Sequence, residues 1–416
     1  MPVYVNISIA LVVFMGLASG GLLALSLMAE RRQQVSFSIM LALAVLLALL
    51  GAIGSLANVE NVAVGIANAG VLLVLAFTLG YALTTYSVLT PGKKKPSINA
   101  PKTREDRIAV ICLSAGEPPD YDTQSAARRL EYADDAEDVP PLLLRPFYMR
   151  DLKAKYAATG RSPYRAYQIE LAEQVQARLD GRHVVYAAFY SDSPTMSEAL
   201  KQAIEAGARR AIVVHVRVTD PPDPVKAGEL LEGVNPESHG MKLLDRGPLF
   251  DSDLLPQIYV RRVLEAVAQA DRPSDDAGLL LVGRGHNATG RSSQRRYKQE
   301  LEFHSKVRQA LVKAGFNERR VVSGWLRQNP TAARALYALA QEGSKVVYWM
   351  PVSYPADGIT TLHDIPAQIG PVAKAIGVRL VALGAWNADE LAAEEIAGRV
   401  RSAERTAASV PPTASR

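Results

Sequence analysis

Four short segments of this 416-residue chain concentrate the side chains that can move protons, hold metal ions or clamp carboxylates: residues 114–120, 215–224, 283–291 and 353–364. They supply Glu117, Asp120, His215, Arg217, Asp220, Arg284, His286, Asn287, Arg291, Tyr354, Asp357, Thr360, His363 and Asp364. Imidazole and carboxylate together can take a proton from a weak acid or ligate a divalent ion. A guanidinium forks onto a carboxylate with two parallel hydrogen bonds. Each segment follows an apolar run, and ligands of open parallel sheets bind at the carboxyl ends of the strands, so the four are expected to converge on one cleft. Gly283, Gly285 and Gly290 superficially suggest a phosphate loop, but neither Lys-Ser/Thr nor the dinucleotide glycine spacing follows.

The elements that must carry these segments are written twice. Pro194-Thr195 is followed, thirteen residues after the proline, by Gly207, and Pro330-Thr331 is followed at the same spacing by Gly343. Each glycine precedes strand-forming residues, 211–214 in one copy and 346–349 in the other, which predicts a repeated helix, glycine stop and strand. Both halves open with a continuous apolar run and a glycine-bearing loop, 108–113 before Gly116 and 278–282 before Gly283. Helices are expected at 164–179, 254–268, 297–314, 331–342 and 362–375, with strands at 184–190, 212–218, 320–322 and 345–352. Strands alternating with helices predict an α/β fold of two similar Rossmann-like halves with parallel sheets covered on both faces.

Ahead of this region, residues 3–29, 35–57 and 62–86 are free of Asp, Glu, Lys and Arg. Each is long enough to cross the hydrocarbon core, which needs about 20 residues, so the expectation is three transmembrane helices rather than a cleaved signal peptide. Arg31 and Arg32 between the first two stretches, and Lys93, Lys94, Lys95, Lys102 and Arg104 after the third, place the N terminus outside and the large domain in the cytoplasm of a cell membrane. Asn6 and Asn68 are polar but not ionisable, which argues against an ion or proton path. Gly16 and Gly20 have the spacing of a close helix contact or of ordinary membrane glycines. The net charge of +5 is modest and partly juxtamembrane, pointing to anionic headgroups and not to nucleic acid. The single cysteine, Cys112, excludes an internal disulfide and is expected to be a buried, inert thiol. The expected division is 1–90 anchor, 91–106 basic linker, 107–270 first half, 271–387 second half, and 388–416 a helix with a disordered tail.

Three segments together resemble the ferrochelatase and cobalt-sirohydrochlorin chelatase superfamily. Lys155-Tyr156 with Gly160-Arg161-Ser162-Pro163-Tyr164 is similar to the ferrochelatase "GGSPL…Q" stretch, and Tyr190 through Thr195 to "RYGxPS". Residues 352–364, VSYPADGITTLHD, resemble "ISFxSDHIETLHE". The resemblance covers residues 107–375 and leaves out the apolar N terminus. It implies two α/β halves enclosing a tetrapyrrole, Fe²⁺ or Co²⁺ as substrate, and no resident cofactor. It also locates departures. The histidine expected after the second-half opening strand is Arg284, and the glutamate and histidine of "DHIET" are Thr360 and Gly358. His286 and Asp357 are then the candidates for ligand and base, and His286, His363 and Asp364 for metal contacts. Arg284, Arg291, Tyr354 and Thr360 are the candidates for holding the macrocycle. For each the alternative stays open: an ion pair across the cleft for Arg284, a solvated loop for His286, a helix start for His363 and Asp364, and a core histidine for His215. His183, His239 and His304 are expected to be surface or structural. The resulting expectation is a membrane-anchored tetrapyrrole-binding chelatase that inserts a divalent metal. The alternative is a catalytically degenerate relative acting as a carrier or as an accessory subunit beside other membrane proteins.

Overall fold

A computed structural model describes residues 3–56, 62–90, 98, 107–132, 139–221, 234–270, 277–285 and 290–409. Its contacts divide the chain into two compact units. One comprises residues 1–93, 121–131 and 137–157, and the other residues 94–120, 132–136 and 158–416.

The first unit begins with α1 (Val3–Met28), α2 (Arg31–Leu56) and α3 (Val62–Leu89), each long and apolar enough to cross a membrane. α1 and α3 touch through glycines. A Cβ at Gly20 would stand 1.9 Å from the Phe77 carbonyl oxygen, and one at Gly80 would stand 2.0 Å from that of Leu17. Hydrogen at both positions lets the backbones approach as no larger residue would. Two shorter helices complete the unit, α4 (Thr123–Glu131) and α5 (Arg145–Thr159). Tyr121 Oη and Thr123 Oγ1 donate to the Met28 carbonyl at 2.8 and 2.9 Å, and Lys153 Nζ donates to Ala29 O and Gln34 Oε1, both at 3.0 Å. These donors satisfy carbonyls that the end of α1 leaves without an intrahelical partner.

The second unit holds both α/β halves. Its elements run β1 (Ile108–Ser114), α6 (Tyr164–Arg178), β2 (His183–Phe189), α7 (Met196–Glu205), β3 (Arg210–His215), β4 (Lys242–Asp245), α8 (Leu255–Gln269), β5 (Gly278–Gly283), α9 (Arg291–Lys313), β6 (Val321–Trp325), α10 (Ala332–Gln341), β7 (Val346–Met350), α11 (Ile365–Ile376), β8 (Arg379–Ala382) and α12 (Glu390–Ser409). The two sheets share one order, β2-β1-β3-β4 and β6-β5-β7-β8, and every pairing is parallel. β1, β5 and β7 are buried along their whole length, as unbroken apolar runs with neighbours on both sides require. Cys112 sits in β1 between Ala187 and Val214, and burial pushes its thiol pKa up to about 12.

The duplication extends to single hydrogen bonds. Phe189 N donates to Pro194 O and Trp325 N to Pro330 O, behind cis peptide bonds at Ser193–Pro194 and Asn329–Pro330. Thr195 and Thr331 each cap the following helix, accepting from Glu198 N and Arg334 N. Gly207 and Gly343 take left-handed φ of 83° and 86°, the stops that the spacing predicts. The loops after β1 and β5 match as well. Gly116 (φ 86°) leaves no room for a Cβ beside Phe189 and Asp192, and Gly285 (φ 74°) leaves none beside Trp325 and Gln328.

Several boundaries differ from expectation. β3 ends at His215: Val216 N still donates to Leu113 O of β1, but Arg217 N turns back to donate to His215 O. α9 starts at Arg291, six residues before the first apolar position of its pattern, since charged residues fill its opening turns. The edge strand β4 lies in a segment expected to be loop, and β8 lies after the last expected helix, where no element was expected. α12 is no appendage: Ile396, Val400 and Ala403 are buried in one core with Tyr259, Phe303 and Trp386. Residues 410–416 lie outside the described residues.

Candidate functional site

The loop after β1 reaches the loop after β7. Glu117, buried, accepts from Ile359 N at 2.7 Å through Oε1, which also receives Ser162 Oγ. A Cβ on Gly358 would meet Glu117 Oε1 at 2.5 Å, so the carboxylate from the first half fills the space that a side chain at 358 would need. Beside it Tyr164 is buried near Arg217, and burial raises its phenol pKa to about 12.

At the carboxyl end of the second sheet, Glu300 of α9 is fully buried and accepts from Arg284 N at 2.7 Å, Gly285 N at 3.1 Å and Ser353 Oγ. His304, one turn further along α9, places Nε2 at 3.0 Å from Ser353 Oγ and Nδ1 at 3.1 Å from Ser323 Oγ, and stacks on Trp325 at 5.7 Å. Burial drives its pKa from 6.5 down to about 4, so the imidazole is neutral at pH 7. These groups fix the β5 and β7 loops relative to each other. The Tyr354 hydroxyl is buried with no hydrogen-bond partner among the described residues, in the field of Arg284 first and then of Glu300, Arg327 and Asp364.

The predicted residues that the structure describes divide into three groups. Arg284, Tyr354, Thr360, His363 and Asp364 occupy the β5 and β7 loops and the π-helical turn Thr360–Asp364. Within that turn His363 Nδ1 lies 3.0 Å from Asp364 Oδ1. Asp357 is engaged with the loop after β8: it accepts from Ala385 N at 3.1 Å and Asn387 Nδ2 at 2.9 Å, while its own N donates to Asn387 Oδ1. Arg291 is exposed on the first turn of α9. His286 lies outside the described residues, and among those described no three His, Cys, Asp or Glu side chains gather to hold a metal.

Sequence reasoning passed over Glu300 and left His304 as surface or structural; the only signal of either was polarity at inward positions of a helix. It read His215 as a core group, and the structure gives it two partners: Nδ1 lies 2.6 Å from Tyr190 Oη and Nε2 3.0 Å from Asp245 Oδ2.

Two parallel sheets of identical order, each with a left-handed glycine in the loop after its central strand, make a duplicated α/β protein. No protein-family model matches the chain. Among curated proteins, the ferrochelatase of Citrifermentans bemidjiense is 24% identical over 324 residues, which is 72% of this chain and 99% of that protein. The coproporphyrin III ferrochelatase of Mycolicibacterium paratuberculosis is 25% identical over 249 residues, which is 55% of this chain and 70% of its own. Among solved structures, SirB from Bacillus subtilis with Fe³⁺ aligns over 73% of this chain and 98% of its own, at 13% identity and a TM-score of 0.46. CbiX, the terminal enzyme for biosynthesis of siroheme in denitrifying bacteria, aligns over 71% and 99%, at 14% identity and 0.42. The chain is thus similar, at 24–25% identity, to ferrochelatases.

Proposed function

We propose that the cleft between the two α/β halves binds a tetrapyrrole by its carboxylates, and that His286 is the imidazole that presents a divalent ion, Fe²⁺ or Co²⁺, to the macrocycle. The observation that carries this reading is the unpartnered Tyr354 hydroxyl beside Arg284, at the carboxyl ends of β5 and β7. A buried donor without a partner costs about 1–3 kcal/mol, a cost that an acceptor on a ligand relieves, and a guanidinium beside it suits a carboxylate. Insertion also needs acceptors for the two pyrrole protons. Arg284 stands where the resemblance expects a histidine, and the Asp357 and Glu117 carboxylates are already hydrogen-bonded within the protein. Those facts favour a second reading, a carrier or accessory protein that binds the macrocycle without metallating it.

One experiment separates the two. Full-length protein in detergent is titrated with protoporphyrin and with sirohydrochlorin, and then given Fe²⁺ or Co²⁺ anaerobically while the absorption spectrum is followed. A saturable band shift with metallation lost in His286→Ala supports insertion; a band shift without metallation supports the carrier. No band shift with either macrocycle refutes both.

We also infer that α1, α2 and α3 anchor the protein in a cell membrane, with the N terminus outside and the α/β region cytoplasmic. Their lengths of 26, 26 and 28 residues and the Lys/Arg residues after α1 and α3 support this.

A further inference from the structure

Outside the three apolar helices, large apolar side chains are exposed at eight described positions, and three of these fall within five residues: Leu143 (44%), Leu144 (53%) and Phe147 (48%). The other five are scattered through the α/β unit, as single surface hydrophobics are in any soluble protein. The cluster occupies the 3-10 turn Leu142–Leu144 and the first turn of α5. That turn is fastened to an apolar helix, since Tyr81 Oη of α3 donates to Leu143 O at 2.9 Å. Tyr81 lies eight residues before the end of α3 at Leu89, which at 1.5 Å per residue is about 12 Å inside the helix end. Over the same stretch α3 itself exposes Leu79, Leu83 and Tyr86. Cations follow the apolar corner directly: Arg145 opens α5, and Arg150 is exposed just over one turn on.

We propose that residues 142–147 are seated in the boundary between headgroups and acyl chains, as an interfacial anchor added to the three spanning helices. The leucines and Phe147 enter the acyl region, and Arg145 and Arg150 meet anionic phosphate. A helix start with clustered exposed apolar residues and flanking arginines has the chemistry of a lipid surface, and the tie to Tyr81 sets its depth. The proposal rests on the reading of α1, α2 and α3 as membrane-spanning, and its test keeps the two apart.

Because Cys112 is buried with its thiol pKa pushed up to about 12, an introduced cysteine is the only reactive thiol. Leu144→Cys and Phe147→Cys carry a nitroxide in full-length protein reconstituted into nanodiscs of phosphatidylcholine and phosphatidylglycerol. Leu47→Cys on α2 serves as the lipid reference. Leu264→Cys, an equally exposed leucine of the α/β unit, serves as the water reference. The ratio of accessibility to oxygen over a nickel chelate is expected to be several-fold higher at 144 and 147 than at 264, and to match 47. If 144 and 147 match 264 while 47 reports lipid, the interfacial anchor is refuted and the spanning helices stand. If 47 also matches 264, both fall.

Discussion

At Gly358 the backbone is kept bare by a carboxylate 241 positions earlier in the chain. Glu117 Oε1 is held by Ile359 N and Ser162 Oγ, so a methyl at 358 cannot displace it without breaking both bonds. Gly358→Ala is therefore expected to destabilise by about 1–3 kcal/mol through overpacking. Glu117→Ala costs a similar amount by leaving the Ile359 N–H unsatisfied. The double variant should cost less than the sum, because removing the carboxylate makes room for the methyl. Urea unfolding of the four proteins reads this coupling, and strict additivity would show that the two positions do not share the space. His304 gives a pH signature. Its folded pKa of about 4 lies below the ordinary 6.5, so the unfolded chain takes up the proton first. Its contribution is complete above about pH 6.5 and is lost as pH falls toward 4, at up to about 1.4 kcal/mol per pH unit inside that window. In His304→Asn, the acid limb of a melting-temperature profile should flatten between pH 4 and 6.5. At the proposed ligand contact, Arg284→Ala should weaken porphyrin binding by about tenfold, equivalent to about 1.4 kcal/mol, as read from a porphyrin titration followed by absorption.

Element by element, what the sequence disclosed was what local chemistry dictates. The glycine stops at Gly207 and Gly343, thirteen residues after Pro194 and Pro330, are set by local spacing, and the structure gives both left-handed φ and adds the helix caps at Thr195 and Thr331. The all-apolar runs of β1, β5 and β7 were legible for the same reason. β4 and β8 were not, because a four-residue edge strand with exposed ends carries no alternation or run to detect. α4 and α5 escaped because their partners are apolar helices about a hundred residues earlier in the chain, so the burial that forms them leaves no mark in their own composition. The Glu117 contact to Ile359 escaped for the same reason at longer range. Gly16 and Gly20 had two open readings, and the contact of α1 with α3 decides for close packing, with Gly80 supplying the opposing surface. Gly80→Leu would place a branched side chain against the Leu17 carbonyl. It should shift the detergent-solubilised protein to a lower melting temperature and to aggregation on gel filtration, whereas Gly70→Leu, at a position with nothing within 4 Å, should do neither.

For the molecule as a whole, the boundary between apolar helices and α/β region does not follow the chain. Residues 121–131 and 137–157 belong to the same compact unit as α1, α2 and α3, although β1 precedes them in sequence. A soluble version made by deleting residues 1–90 would strip Tyr121 and Thr123 of their Met28 acceptor, and Lys153 of Ala29 and Gln34. Burial already lowers the Lys153 pKa, and it raises the Tyr121 phenol, so both groups sit where water does not replace a lost partner cheaply. The α/β unit, by contrast, keeps its sheets and its core around Tyr259, Phe303, Trp386 and α12. The deletion variant is therefore expected to keep near-native far-ultraviolet circular dichroism while running in the void volume on gel filtration without detergent. A monodisperse, soluble monomer would show instead that α4 and α5 hold their fold without the apolar helices, and that the unit they share with those helices is not a cooperative one.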